Sequence, residues 1–137
     1  MRNLSLLLIE DDQIETLKFQ KIVSSINEKH KVTIAQNGEE ALRLVKNIEQ
    51  LPNVILLDLN MPKLNGLEFL KILKNDLVLK YIPVVILTTS NYPNDILECY
   101  EMGIAGYLMK PLKYQDYKSL IENFITYWSV NEFTRKN

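Results

Sequence analysis

The stretch Val54-Ile55-Leu56-Leu57-Asp58-Leu59-Asn60-Met61-Pro62 decides how the rest of the chain is read. Four consecutive apolar residues suit a strand covered on both faces. An acid, a short polar turn and a proline then end the run. Such a strand needs neighbours of its own kind, and the chain supplies them on both sides. Leu6-Leu7-Leu8-Ile9 is a second continuous apolar run and ends in Glu10-Asp11-Asp12. Val32-Thr33-Ile34-Ala35 is less uniformly apolar and reads as an edge strand. Val84-Val85-Ile86-Leu87 ends at Thr88, and Ile104 to Met109 ends at Lys110-Pro111.

Helical spacing fills the gaps. Ile14, Leu17, Ile22 and Val23 recur after the first strand, and Ala41, Leu42, Leu44 and Val45 after the second, where Pro52 ends the helix. Asp12 with Glu15, Asn37 with Glu40, and Asn65 with Glu68 have the spacing of capping boxes. A fourth helix runs from Pro93 to Met102 and stops at Gly103. The last, Tyr114 to Val130, carries Tyr117, Ile121, Phe124 and Trp128. Five strand–helix pairs predict an α/β fold: a parallel sheet with right-handed crossovers and helices on both faces.

The 137 residues make one domain, 47% hydrophobic and 24% charged, so a sizeable core is available. Sixteen Lys and Arg against seventeen Asp and Glu leave a net charge of -1, which argues against direct DNA binding. No apolar run reaches the roughly 20 residues of a membrane span, and the first residues do not look like a signal peptide. One cysteine, Cys99, excludes an internal disulfide, and one histidine, His30, leaves little for a His-based site. The expectation is a cytoplasmic domain over 1–130, with 131–137 a short tail too small for an effector domain.

Sheets of this kind bind ligands beyond the carboxyl ends of their strands. Those ends carry Glu10-Asp11, Asp58, Thr88 and Lys110. Each alone has a plain explanation, as a helix cap, a turn residue or a solvated lysine. Together they do not. Two carboxylates about 4 Å apart repel by roughly 4 kcal/mol at an effective dielectric near 20. A converging cluster of three therefore calls for a cation, and hard oxygen ligands suit Mg²⁺. Thr88 adds a neutral donor and Lys110 a positive charge. The set fits a phosphoryl group attached to, or attacked by, a carboxylate.

Glu10-Asp11, Asp58 to Pro62 with Gly66, Thr88, Tyr107 and Lys110-Pro111 resemble the receiver domain of two-component response regulators. The motifs run in family order, with 30 residues from Asp58 to Thr88 and 22 from there to Lys110. The resemblance covers about Leu4 to Val130 and implies a flavodoxin-like (βα)5 fold with strand order 2-1-3-4-5. It implies that Asp58 accepts a phosphoryl group from a sensor histidine kinase or a phosphotransfer protein. It further implies Mg²⁺ held by Asp11, Asp58 and the backbone carbonyl of Asn60, with Glu10 reaching the ion through water. Lys110 would pair with one phosphoryl oxygen and Thr88 with another, Tyr107 moving inward as Thr88 is drawn over. Pro62 and Gly66 shape the loop after Asp58, and Pro111, through a bond open to the cis form, aims Lys110.

Thr89 stands where many receivers carry a smaller residue and is expected to narrow access to Asp58. Leu112 replaces an aromatic often found after Lys-Pro. The segment Asp95 to Tyr100 and the pair Tyr127-Trp128 resemble stand-alone receivers that include cyanobacterial phytochrome partners. Output is then protein–protein contact or phosphorelay, with the fourth helix, fifth strand and fifth helix as the expected surface. Homodimerisation is one use of that face, with Tyr114, Tyr117, Tyr127 and Trp128 as anchors or as cover for the sheet. His30 reads as a surface residue and Cys99 as a packing residue. A haloacid-dehalogenase-type phosphatase shares the aspartate nucleophile, Mg²⁺, Thr and Lys, but carries its nucleophile on the first strand and a second Asp where Asn60 stands here. A flavodoxin-like carrier lacks its phosphate loop here, and a phosphorylation-independent pseudo-receiver usually lacks acids that this chain retains.

Overall fold

The continuous apolar runs become the middle of one sheet. The computed structural model describes residues 1–47, 49, 51–61 and 64–134. In chain order, β1 (Ser5–Ile9) leads to α1 (Gln13–Ile26), β2 (Lys31–Ala35) to α2 (Gly38–Asn47) and β3 (Val54–Leu57) to α3 (Gly66–Lys74). A 3₁₀ turn at Leu79–Tyr81 precedes β4 (Val84–Thr88), followed by α4 (Pro93–Glu101), β5 (Gly106–Met109) and α5 (Tyr114–Ser129). The strands are parallel, in the order β2-β1-β3-β4-β5. Every residue of Leu6–Ile9, of β3 and of β4 is buried, whereas β2, at the edge, is buried only at Ala35.

The two-residue period of a strand divides each run between two cores. Leu7, Ile9, Ile55, Leu57, Val84 and Ile86 pack with residues of α2, α3 and α4, including Phe69, Leu73 and Cys99. Leu6, Leu8, Val54, Leu56, Val85 and Leu87 pack with α1 and α5 through Phe19, Ile22, Tyr117, Ile121 and Phe124. Each fully buried aliphatic or aromatic side chain contributes about 1.5–3 kcal/mol relative to exposure. Tyr117 and Trp128 lie in this second core and cover the sheet, so neither serves as a surface anchor; Tyr114 and Tyr127 stay exposed.

Of the three expected capping boxes only Asn65–Glu68 is reciprocal, with Glu68 N–H donating to Asn65 Oδ1 at 3.0 Å and Asn65 N–H to Glu68 Oε1 at 3.2 Å. Asp12 caps α1 through Ile14 N–H, but Glu15 turns away to Lys18 Nζ at 3.0 Å. Asn37 accepts from Glu40 N–H at 2.8 Å, while the Glu40 carboxylate takes Gln36 N–H instead. The fifth strand begins at Gly106, two residues later than the apolar pattern suggests: Ile104 is a buried core plug, and Ala105 N–H already donates to Val84 O at 2.8 Å. Gly103, at φ 87°, ends α4 as expected. His30 is a correction as well. It is partly buried, and its Nδ1 accepts Leu4 N–H at 2.9 Å, tying the α1–β2 turn to the start of β1.

Candidate functional site

Register sets the site. Ile9 pairs with Leu57, so Glu10 and Asp58 leave the sheet side by side at the carboxyl end. Asp58 N–H donates to Ile9 O at 3.1 Å and Glu10 N–H to Ala35 O at 2.9 Å, which fixes both backbones. One carboxylate oxygen from each of Glu10, Asp11 and Asp58 lies within 4.8 Å of the others. Glu10 and Asp58 are buried at 3% and 7% exposure, and Asp11 is exposed. The pocket therefore has a closed floor and an open rim.

The positive charge arrives from the far side of the sheet. Thr88 pairs with Met109, and Lys110 N–H donates to Thr88 O at 2.8 Å. That places Lys110 Nζ 3.9 Å from Asp58 Oδ2, while it hydrogen-bonds Glu10 Oε1. Burial pushes the Glu10 carboxyl up to about 7, against the pull of the Lys110 bond and charge. Burial works to lower Lys110, but the bond it donates to Glu10 and the charge of Asp58 hold its ammonium above the ordinary value. Around the acids, Asp12 N–H donates to Glu10 Oε2 at 3.2 Å and Asn60 N–H to Asp58 Oδ1 at 3.4 Å.

Thr88 is fully buried at its backbone and side chain, and its Oγ1 accepts Ser90 N–H at 3.3 Å. Ser90 is a hub that the sequence reading passed over. Its hydroxyl donates to Asp95 Oδ2 at 2.9 Å, and its carbonyl accepts Tyr107 Oη–H at 2.6 Å. Thr88 and Tyr107 are thus joined through one residue. The only sequence signal was a serine two places past a strand-end threonine and five before an acid in the first turn of α4.

Gly66 is needed for close approach. A Cβ there would stand 2.6 Å from Asp58 O and 2.7 Å from Leu59 Cα, so the loop after Asp58 can fold over only a glycine. Gly38 serves the same loop from α2, its would-be Cβ 2.6 Å from Leu64 O. Leu64 takes φ 56°, a left-handed conformation costly for a side chain, within this loop. Pro62 lies outside the described residues. No peptide bond among the described residues is cis, so Lys110–Pro111 is trans. Thr89 and Leu112 are both exposed, Leu112 completely. His30 belongs to the opposite end of β1, at Leu4, and Cys99 is sealed in the core, its thiol pushed up to about 11 by burial.

Chemically, the pocket offers hard oxygen donors of the kind a small divalent cation takes, a largely buried carboxylate able to act as a nucleophile, and Lys and Thr groups able to meet anionic oxygens. No described helix is long and apolar enough to cross a membrane.

Comparison with known proteins agrees with this geometry. Response regulator Rcp1 from Synechocystis is 32% identical over 128 residues, 90% of this chain and 87% of that protein. The probable methanogenesis regulatory protein FilR2 from Methanothrix harundinacea is 32% identical over 127 residues, 90% and 82% of the two chains. Among solved structures, the phosphorylated cyanobacterial phytochrome response regulator RcpA matches with a TM-score of 0.91 at 28% identity, over 96% of this chain and 99% of that one. The Mn²⁺-bound form of Rcp1 matches with a TM-score of 0.87 at 30% identity, over 98% and 99%. The family profile of the response regulator receiver domain matches residues 6–122. With the strand order, the acidic pocket and that match in agreement, the chain belongs to the response regulator receiver domain family of two-component signalling.

Proposed function

We propose that residues 1–130 act as a phosphoryl-operated switch with Asp58 as the acceptor. One observation carries the reading: Asp58 ends β3 beside two further carboxylates and 3.9 Å from the Lys110 ammonium, in a pocket closed below and open above. Its carboxylate oxygen attacks the phosphorus of a phosphohistidine. The new O–P bond forms as the P–N bond breaks, and the imidazole nitrogen leaves with the bonding pair.

Receiver domains bind Mg²⁺ at an acidic pocket, and the donor chemistry of Glu10, Asp11 and Asp58 fits such an ion. Asp11, Asp58 and the Asn60 carbonyl would hold it directly and Glu10 through water. When bound, the ion supplies positive charge opposite the transferring oxygens. Everything else is done by the chain. Lys110 swings from Glu10 to a phosphoryl oxygen, a short movement given that it already stands near Asp58. Thr88 donates its hydroxyl to a second oxygen. That donation pulls on Ser90, which holds Tyr107, so Tyr107 follows. Contacts made in only one state bias a pre-existing equilibrium, and the bias is the signal. Gly66 and Pro111 shape the two loops that carry these groups.

The chain assists its own phosphorylation and dephosphorylation and has no other turnover. Its donor is a sensor histidine kinase or phosphotransfer protein in the cytoplasm. Similarity to the cyanobacterial phytochrome response regulator RcpA supports a phytochrome-type kinase. Output passes through the α4–β5–α5 face to a protein partner or a second copy, without direct DNA binding or a membrane. Exposed Tyr127 lines a groove of about 250 Å³ there with Leu108, Leu120 and Phe124.

Incubation with Mg²⁺ and acetyl phosphate, read by intact mass, tests the assignment. One added phosphoryl group is expected, absent without Mg²⁺ and absent in Asp58→Ala. An adduct that survives in Asp58→Ala would move the acceptor elsewhere.

A further inference from the structure

Two exposed surfaces of opposite charge share one end of the molecule, away from the acidic pocket. The first is the segment between α3 and β4, held as a rigid knuckle. Asp76 Oδ1 accepts the N–H groups of Val78 and Leu79, both at 2.9 Å, and Lys80 N–H donates to Asp76 O at 3.1 Å. Leu79 is plugged into the core, which turns its neighbours outward: Leu77 is 70% exposed and Tyr81 46%, with Val78 beside them. Lys80 Nζ stands 5.3 Å from the centre of the Tyr81 ring, and Lys71 in the last turn of α3 is a second exposed cation.

The second surface is the outer stripe of α4. Leu97, Glu98, Tyr100 and Glu101 are exposed; Leu97 stands three and four residues from Tyr100 and Glu101, and Glu98 three from Glu101, so together they make the outer half of the helix. The helix contains no basic residue. Among the described residues, Lys71, Lys80, Glu98 and Glu101 enter no ion pair. Both surfaces lie on the α2–α3–α4 side of the sheet, since Leu79 and Cys99 belong to the same core. They also lie at the same end. The knuckle runs into Val84, the first residue of β4, and α4 runs into Gly106, which pairs with Val85.

We propose that this bipolar surface is where two copies of the chain meet about a two-fold axis, the basic knuckle of each set against the acidic α4 of the other. Like patches facing one another would repel, so the crossed arrangement is the one that pairs every charge, and a two-fold makes each pairing twice. Leu77 and Val78 meet Leu97 and Tyr100 at the centre, with lysine and glutamate at the rim. With charge pairs at its exposed rim, the dimer is salt-sensitive. Thr88 stands at the other end of β4, roughly 13 Å from Val84 at ~3.3 Å per residue. Dimerisation therefore leaves the acidic pocket open to a donor. Because it covers α4, it excludes contacts through the α4–β5–α5 face.

Sedimentation equilibrium of the full chain, from micromolar to near-millimolar protein at low and physiological ionic strength, tests this. The average mass should rise from one protomer toward two and fall back with salt. Lys71→Glu with Lys80→Glu gives a chain whose two surfaces are both acidic, and Glu98→Lys with Glu101→Lys one whose surfaces are both basic. Each alone should associate about tenfold more weakly or not at all. An equimolar mixture of the two should recover the wild-type dimer, which also shows that both are folded. Wild-type monomer at every concentration would overturn the proposal, as would association untouched by the lysine reversal. So would a mixture that fails to recover while each variant melts cooperatively. Dimerisation lost in Tyr127→Glu but kept in the lysine variant would assign self-association to the α4–β5–α5 face instead.

Discussion

Lys110 Nζ donates to Glu10 Oε1 and stands 3.9 Å from Asp58 Oδ2, so one cation spans the ends of β1, β3 and β5. Before any phosphoryl group arrives, the lysine is committed to the carboxylate that is not the proposed acceptor. Asp58 is left with a looser ion pair at 3.9 Å and no hydrogen bond from the lysine. The separation is a resting arrangement that a phosphoryl oxygen can capture.

Lys110→Met should lower metal-free stability by about 1–3 kcal/mol, because a buried acceptor loses its partner. The loss stays in that range because Glu10, already pushed up to about 7, takes a proton rather than remaining charged. Urea unfolding with and without Mg²⁺ is the measurement. The ion should restore most of the loss, since it offers the carboxylates another positive charge. Unchanged stability in the variant would show that the Glu10 bond contributes nothing.

His30 should make the fold sensitive to mild acid. Burial holds its imidazole below the ordinary 6.5, and its Nδ1 accepts Leu4 N–H, which a protonated ring cannot do. A group whose folded pKa is depressed contributes stability that is present above the unfolded pKa and lost as pH falls through the folded one. Melting temperature should therefore decline below pH 6.5 more steeply in the wild type than in His30→Ala. Parallel pH curves for the two proteins would remove His30 from the account.

Gly66→Ala should destabilise by about 1–3 kcal/mol, the range for forcing atoms into a packed site. The new methyl would meet Asp58 O at 2.6 Å and Leu59 Cα at 2.7 Å, both backbone atoms that cannot swing aside. The loop that carries Asp58 must shift, so phosphorylation by acetyl phosphate should slow as well. Alanine at Gly103, where nothing lies within 4 Å of a Cβ, tests strain from φ 87° alone and should leave that rate unchanged.

Thr88→Val should separate phosphorylation from its readout. The variant keeps the shape of a fully buried side chain but loses the oxygen that accepts Ser90 N–H. The adduct on Asp58 should still form. The amide resonances of Ser90 and Tyr107 should shift on phosphorylation of the wild type and less than half as far in this variant. Thr88→Ser should behave as the wild type. Full movement in the valine variant would mean that the coupling does not pass through the hydroxyl.

Much of this protein was legible in its residues. The alternation of buried runs with helical spacing specifies a parallel sheet, because a strand apolar on both sides has nowhere else to go. The motif order from Glu10 to Lys110 named the strand ends that meet. Burial alternation along Leu6–Ile9 and Val54–Leu57 also follows from the strand period, and it sends neighbouring residues to two different cores.

What only the tertiary structure decided were matters of distance and partner choice. Sequence placed Lys110 in the pocket, but the β4–β5 register and packing decide that its hydrogen bond goes to Glu10, with Asp58 at 3.9 Å. Ser90 carried no pattern, yet three hydrogen bonds converge on it, because loops that meet in space need not share a spacing in the chain. His30 looked like solvent-facing polarity and proved to be an acceptor for a backbone N–H 26 residues away. Periodicity reports which side of an element is apolar, a property of the local chain. Which polar atom answers which is settled by packing between elements, where a shift of 1 Å makes or breaks a bond.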